Sequence, residues 1–153
     1  MTTILIAADD SEESVDAARV AHALFGDDAE YLVIHVGAAV PSSAVAWGYA
    51  YPVTMPMVDY PPMLPEPAPG EPTQVEEAED RADAVAHAAS LDGAEAVGDV
   101  GDTSEAILHA AHEHGADVIV VGSHDRGWFS RLLSGSVSQD VIRRSDIPVL
   151  VVK

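Results

Sequence analysis

Short unbroken apolar runs recur along this chain, each followed by a segment of helical periodicity, and few folds accommodate that alternation. The run from Ile4 to Ala8 suits a strand buried on both faces of a parallel sheet, and it ends abruptly at Asp9. Asp10 with Glu13 forms a capping-box pattern; Val15, Ala18, Ala21 and Phe25 then share one helical face before Gly26 stops the helix. A second strand is predicted from Tyr31 to Val36. A second capping box, Thr73 with Glu76, precedes a helix that turns Val75, Ala78, Ala82, Val85 and Ala89 inward. Ala94 to Val100 is a weaker strand, and its helix is capped near Asp102 or Thr103 and ended by Gly115. Val118 to Val121 is a strong strand, a helix follows from about Gly135 to Arg144, and Ile147 to Val152 forms a fifth strand. Right-handed crossovers place such helices on both sides of the strands. The expected fold is therefore a doubly wound, five-stranded parallel sheet in a three-layer α/β/α, Rossmann-like arrangement. Ligands of such sheets bind beyond the carboxyl ends of the strands, where the strand order reverses. Those ends carry Asp9, Val36 and Gly122.

At 153 residues the chain has room for one ordinary domain, taken as 1–153, and the 48% apolar content is ample for its core. No apolar run approaches the length of a membrane span, and the start lacks a charged leader, so the expected location is the cytoplasm. The absence of cysteine excludes disulfide stapling, thiolate catalysis and zinc ribbons. A net charge of −19 repels phosphate backbones and argues against nucleic-acid binding. That charge is uneven. Arg126, Arg131, Arg143 and Arg144 lie between Val121 and Ser145, where the acids are Asp125 and Asp140, so an anion is best received there.

Residues 39–72 depart from the pattern. They hold nine of the ten prolines and mix Trp47, Tyr49, Tyr51 and Tyr60 with Met55, Met57 and Met63. A loop of this length is a surface insertion, a lid over a ligand, or a docking surface for a protein partner built from aromatics and methionines.

The segment from Gly122 to Val137 follows the strongest strand and opens a helix. Glycine and serine at such a junction offer backbone N–H donors and a hydroxyl to an anion, each charge-assisted bond contributing about 1.5 to 3 kcal/mol. Together with ILIAADDSEES at the start, the LVIHV strand, the run VGDTSEAILHAAHEHGADVIVVGSHDRG and the closing GSVSQDVIRRSDIPVLVVK, it resembles the universal stress protein family over nearly the whole chain. The resemblance implies an adenine nucleotide alpha hydrolase-like fold, a stress-response role and binding of ATP or another adenine nucleotide. The ATP-binding branch has a signature of glycine, two residues, glycine, nine residues, glycine and a hydroxyl residue. Gly122, Gly135 and Ser136 match it, and Asp125 stands at the middle glycine. By the same resemblance Asp9 lies on the adenosine side and Val36 against the adenine. Ser123, Arg126, Gly127 and Val137 complete the expected contact set. A carboxylate at Asp125 about 6 Å from one phosphate charge costs about 3 kcal/mol at an effective dielectric near 20, which Arg126, Arg131 or a bound Mg²⁺ would offset.

Other candidates have plainer explanations. His109, His112 and His114 invite a metal reading, but histidines also suit helix carboxyl ends and no carboxylate with ligand spacing accompanies them. Asp10 is read as a helix cap, Asp9 as a ligand contact, His35 as a strand-end histidine, and Trp128 and Phe129 as packing anchors. No nucleophile elbow, dinucleotide fingerprint or phosphate-loop lysine is present, so no enzymatic role beyond incidental ATP hydrolysis is expected. The resemblance further implies a homodimer through residues 147–152, where an apolar edge strand would otherwise pair without control. The rival reading is a nucleotide-free dimeric scaffold acting through the 39–72 loop.

Overall fold

A computed structural model of the protein describes residues 1–38, 73–122 and 137–152. The loop at 39–72 and its proposed roles lie outside the described residues. Five strands form one sheet: β1 (Thr3–Ala8), β2 (Glu30–Gly37), β3 (Glu95–Val100), β4 (Val118–Gly122) and β5 (Val149–Val152). Among the described residues the helices between them are α1 (Glu12–Phe25), α2 (Gln74–Ala88), α3 (Thr103–Glu113) and α4 (Val137–Arg144). Every pairing is parallel and the order is β3-β2-β1-β4-β5. The direction of winding thus reverses between β1 and β4, and the expected doubly wound three-layer fold is what forms. Among the described residues no helix is long and apolar enough to cross a membrane.

Alternation along β1 divides the core in two. Ile4, Ile6 and Ala8 face α1 and α2, packing with Ala18, Ala21, Ala82 and Val85. Leu5 and Ala7 face α3 and α4, where Ile107, Ala110, Val137 and Val141 complete the opposite layer. Small alanines on the helices let them approach a sheet whose own side chains are Ile, Leu and Val.

The helix ends follow local chemistry, with three departures from expectation. Asp10 and Glu13 do not form the predicted capping box. The N-cap is Ser11, whose Oγ accepts from the Ser14 N–H at 3.3 Å, while the Asp10 carboxylate is engaged by Arg81 at 2.7 Å. At α2 the capping box does form: the Glu76 N–H donates to Thr73 Oγ1 at 3.2 Å and the Thr73 N–H to Glu76 Oε2 at 2.7 Å. Val75, expected inward, is 45% exposed, and it is its carbonyl oxygen that lies toward Gly98 of β3. The fifth strand begins at Val149 and not at Ile147. Pro148 has no N–H for a ladder, and the Ile147 N–H is taken by Ser145 Oγ at 3.0 Å. Gly26, at φ 74° and ψ −173°, ends α1 in a positive-φ conformation that glycine tolerates, as expected.

Candidate functional site

Asp9 is the first residue beyond β1 and its side chain is folded back onto the start of α1. The Ser11 N–H donates to Asp9 Oδ1 at 3.0 Å, and the hydroxyls of Ser11 and Ser14 both donate to that same oxygen. In return the Asp9 N–H donates to Ser14 Oγ at 2.9 Å. Asp9 and Ser14 are buried, so this lattice is formed in a region of low dielectric where satisfied hydrogen bonds fix geometry strongly. The sequence shows Asp9 as a strand-end carboxylate. The paired hydroxyls that hold it were missed, although serine at both the cap and the third helical position is their signal.

The registers bring the three predicted strand ends to one level. Ala8 pairs with His35 and Ala7 with Val121, so Asp9 lies beside Val36, and Gly122 beside Ala8. Val36 is buried and turns toward α3 and α4 with the rest of that core layer. Val137 opens α4 and is buried in the same layer. A Cβ added to Gly122 would meet Glu13 O at 3.8 Å and Ala17 Cβ at 3.9 Å, which are ordinary contacts, so its immediate packing does not itself demand glycine. Ser123, Asp125, Arg126, Gly127, Gly135 and Ser136 lie outside the described residues.

Beside these strand ends, on the α1 and α2 face, is a charged cluster that sequence reasoning did not assemble. His35 Nε2 stands 3.6 Å from Asp10 Oδ1, and Arg81 donates to Asp10 Oδ2 at 2.7 Å. The His35 side chain is 9% exposed and its Nδ1 is buried without a hydrogen-bond partner among the described residues. Burial pushes the His35 pKa below its ordinary value; Asp10 pulls it up, Arg81 pushes it down and Asp9 pulls it up, with burial the largest influence. The imidazole is accordingly neutral near pH 7. Its single proton is best placed on Nε2, facing Asp10, which leaves Nδ1 as a buried acceptor. A cavity of about 430 Å³ adjoins this cluster, lined by His35, Gly37, Gln74, Glu77 and Arg81 among others. A smaller one of about 310 Å³ lies at the end of β3 against Asp99, Asp102, Glu105 and His109. Asp102 there is the N-cap of α3, and bonds from the Glu105 N–H and the Ser104 hydroxyl hold its carboxyl below the usual range.

The three histidines near the end of α3 do not converge. His109 faces Glu113 at 3.7 Å, His112 faces Asp146 at 3.1 Å, and His114 faces Glu95 at 3.9 Å. Each has its own carboxylate, an arrangement that suits surface ion pairs at a helix carboxyl end.

Comparison with known proteins adds to this geometry. The chain is similar to the stress response protein NhaX of Bacillus subtilis, 47% identical over 53 residues that make up 35% of this chain and 32% of NhaX. It is also similar to the universal stress protein MJ0577 of Methanocaldococcus jannaschii, 44% identical over 54 residues, 35% of this chain and 33% of MJ0577. The matched stretches therefore span about a third of either curated relative. Superposed on the solved structure of MJ0577, the fold agrees with a TM-score of 0.63 at 25% identity, covering 99% of this chain and 95% of that one. A universal stress protein solved in complex with cAMP agrees with a TM-score of 0.54 at 26% identity, again over 99% and 95% of the two chains. The model of the universal stress protein family matches residues 1–153. On that match, and on a sheet wound in the order just described, the chain belongs to the universal stress protein family.

Proposed function

We propose that this protein is a stress-response regulator that binds ATP or another adenine nucleotide in the crevice between the carboxyl ends of β1 and β4. The observation that carries this reading is the placement of Asp9, Val36 and Gly122 at one level of the sheet, beside the reversal of winding where doubly wound folds receive ligands. A relative of the same fold was solved in complex with cAMP, which supports an adenine ligand. In this reading Asp9 and Val36 hold the adenosine end, and the segment from Gly122 through Ser123, Asp125, Arg126, Gly127, Gly135 and Ser136 to Val137 receives the phosphates. Arg126, Arg131 or a bound Mg²⁺ would offset the charge of Asp125 there. The protein works as a cytoplasmic homodimer of single-domain chains paired through residues 147–152, with no catalytic role beyond incidental hydrolysis.

Calorimetric titration with ATP, ADP, AMP and cyclic AMP, with Mg²⁺ present, tests the proposal. At least one nucleotide is expected to bind in the micromolar range, the affinity a few charge-assisted hydrogen bonds supply. Absence of heat with all four at millimolar concentration would overturn it and favour the scaffold acting through the 39–72 loop.

A further inference from the structure

Alternation along β2 sets His35 on the face it shares with Tyr31 and Val33, beneath α2. Its neighbours across the sheet are Ala8 of β1 and Gly98 of β3, neither of which has a polar side chain, and α2 lies close over Gly98. Among the described residues the charged groups around the imidazole are Asp9 and Asp10 from the turn after β1, and Arg81 and Glu77 from α2. Asp10 already bonds Arg81, at 2.7 Å, and stands 3.6 Å from His35 Nε2. A protonated His35 would carry N–H groups on both nitrogens, with the one on Nδ1 buried and lacking an acceptor among the described residues, and would set a second cation beside Arg81. The hold of α2 is weakest in the same place. Before Arg81 only Ala78 is buried on this helix, and the cavity of about 430 Å³ opens between that stretch and the end of β2.

We propose that His35 is a proton-operated release for α2: acid detaches the amino-terminal half of this helix from the end of β2 while the rest of the sheet stays folded. The driving force is a difference in proton affinity. Once α2 has drawn away, water reaches the imidazole and it takes a proton near its ordinary pKa of about 6.5; under the docked helix, burial holds that value lower. Opening is thus favoured as pH falls below about 6.5. From pH 7 to pH 5 the open population grows several-fold, to a ceiling of roughly 25-fold. The Glu76 carboxyl of the capping box is held below its ordinary range by bonds from Thr73, so it stays largely charged over that interval and the cap is kept.

Hydrogen–deuterium exchange of the full chain at pH 7 and pH 5, corrected for the intrinsic rate at each pH, tests the inference. Amides in the first half of α2 are expected to exchange faster than those of β1 and β4 at both values, which marks an opening smaller than global unfolding. Their protection is expected to fall several-fold between pH 7 and pH 5 in the unaltered protein and to stay level in His35→Phe. Should His35→Phe fail to fold, His35→Gln supplies an uncharged polar side chain, and the same level protection is expected. Protection of α2 that does not change with pH in the unaltered protein overturns the inference. So does a fall that persists when His35 is replaced. Exchange of α2 at the same rate as β1 and β4 also overturns it, because the proton would then act only through unfolding of the whole domain.

Discussion

His35 connects burial to pH at the level of a single residue. Its folded pKa is depressed chiefly by burial, so the unfolded chain binds a proton at higher pH than the folded one. The stability at stake is fully present above the unfolded value of about 6.5 and is lost as pH falls from there through the folded pKa. The carboxyls of Asp102 and Glu76 are likewise depressed, by hydrogen bonds from backbone and side chain, and their share is present above about pH 4 and lost below it. Urea denaturation midpoints are thus expected to fall between pH 7 and pH 5 in the unaltered protein. His35→Phe is expected to flatten that interval and leave the fall below pH 4 in place. An equal decline from pH 7 to 5 in both proteins would exclude His35 as the cause. Asp9 was legible because a charged residue closing a buried strand is conspicuous. The His35, Asp10 and Arg81 cluster was not, since Arg81 lies 71 positions from Asp10 and only the packing of α2 over the sheet brings them together.

Among the elements, α2 is the most exacting. Its capping box contributes two reciprocal bonds, and Thr73→Ala is expected to cost about 1 kcal/mol, a fall of roughly 2 to 4 °C in melting temperature by calorimetry. Gly98 is where α2 crosses β3. A Cβ there would lie 2.3 Å from Val75 O and 2.6 Å from Glu79 N, both backbone atoms that yield only if the helix moves. Gly98→Ala is therefore expected to cost about 1 to 3 kcal/mol or more in chemical denaturation, and a change within 0.5 kcal/mol would contradict this account of the crossing. Caps at Thr73 and Asp102 and stops at Gly26 and Gly115 were legible because they depend on neighbours in sequence. Val75 and Ile147 were misjudged because their surroundings are set by tertiary contacts: the sheet meets Val75 through its carbonyl, and Pro148 delays the β5 ladder beyond Ile147.

On the scale of the whole molecule the two sheet edges differ. β3 carries Glu95 and Asp99, charges that discourage pairing with another strand, whereas β5 presents Val149, Leu150, Val151 and Val152, all partly exposed. The proposed homodimer is expected at β5, with light scattering giving twice the chain mass at physiological salt and Val151→Lys returning the monomer. A monomeric mass for the unaltered protein would contradict it. The layer architecture and parallel direction were legible in the alternation of runs. The placing of Asp9, Val36 and Gly122 at the reversal of strand order followed from the doubly wound class and not from local signals, since strands separated by more than a hundred residues carry no local sign of pairing. On that placing the functional account depends. Its most direct test is to titrate the isotopically labelled protein with ATP and Mg²⁺ and follow backbone amide resonances. The largest shifts are expected at the carboxyl ends of β1, β2 and β4, around Asp9, Val36 and Gly122. Shifts confined to the amino ends of the strands, or none at saturating nucleotide, would contradict the claim that this crevice is where the ligand binds.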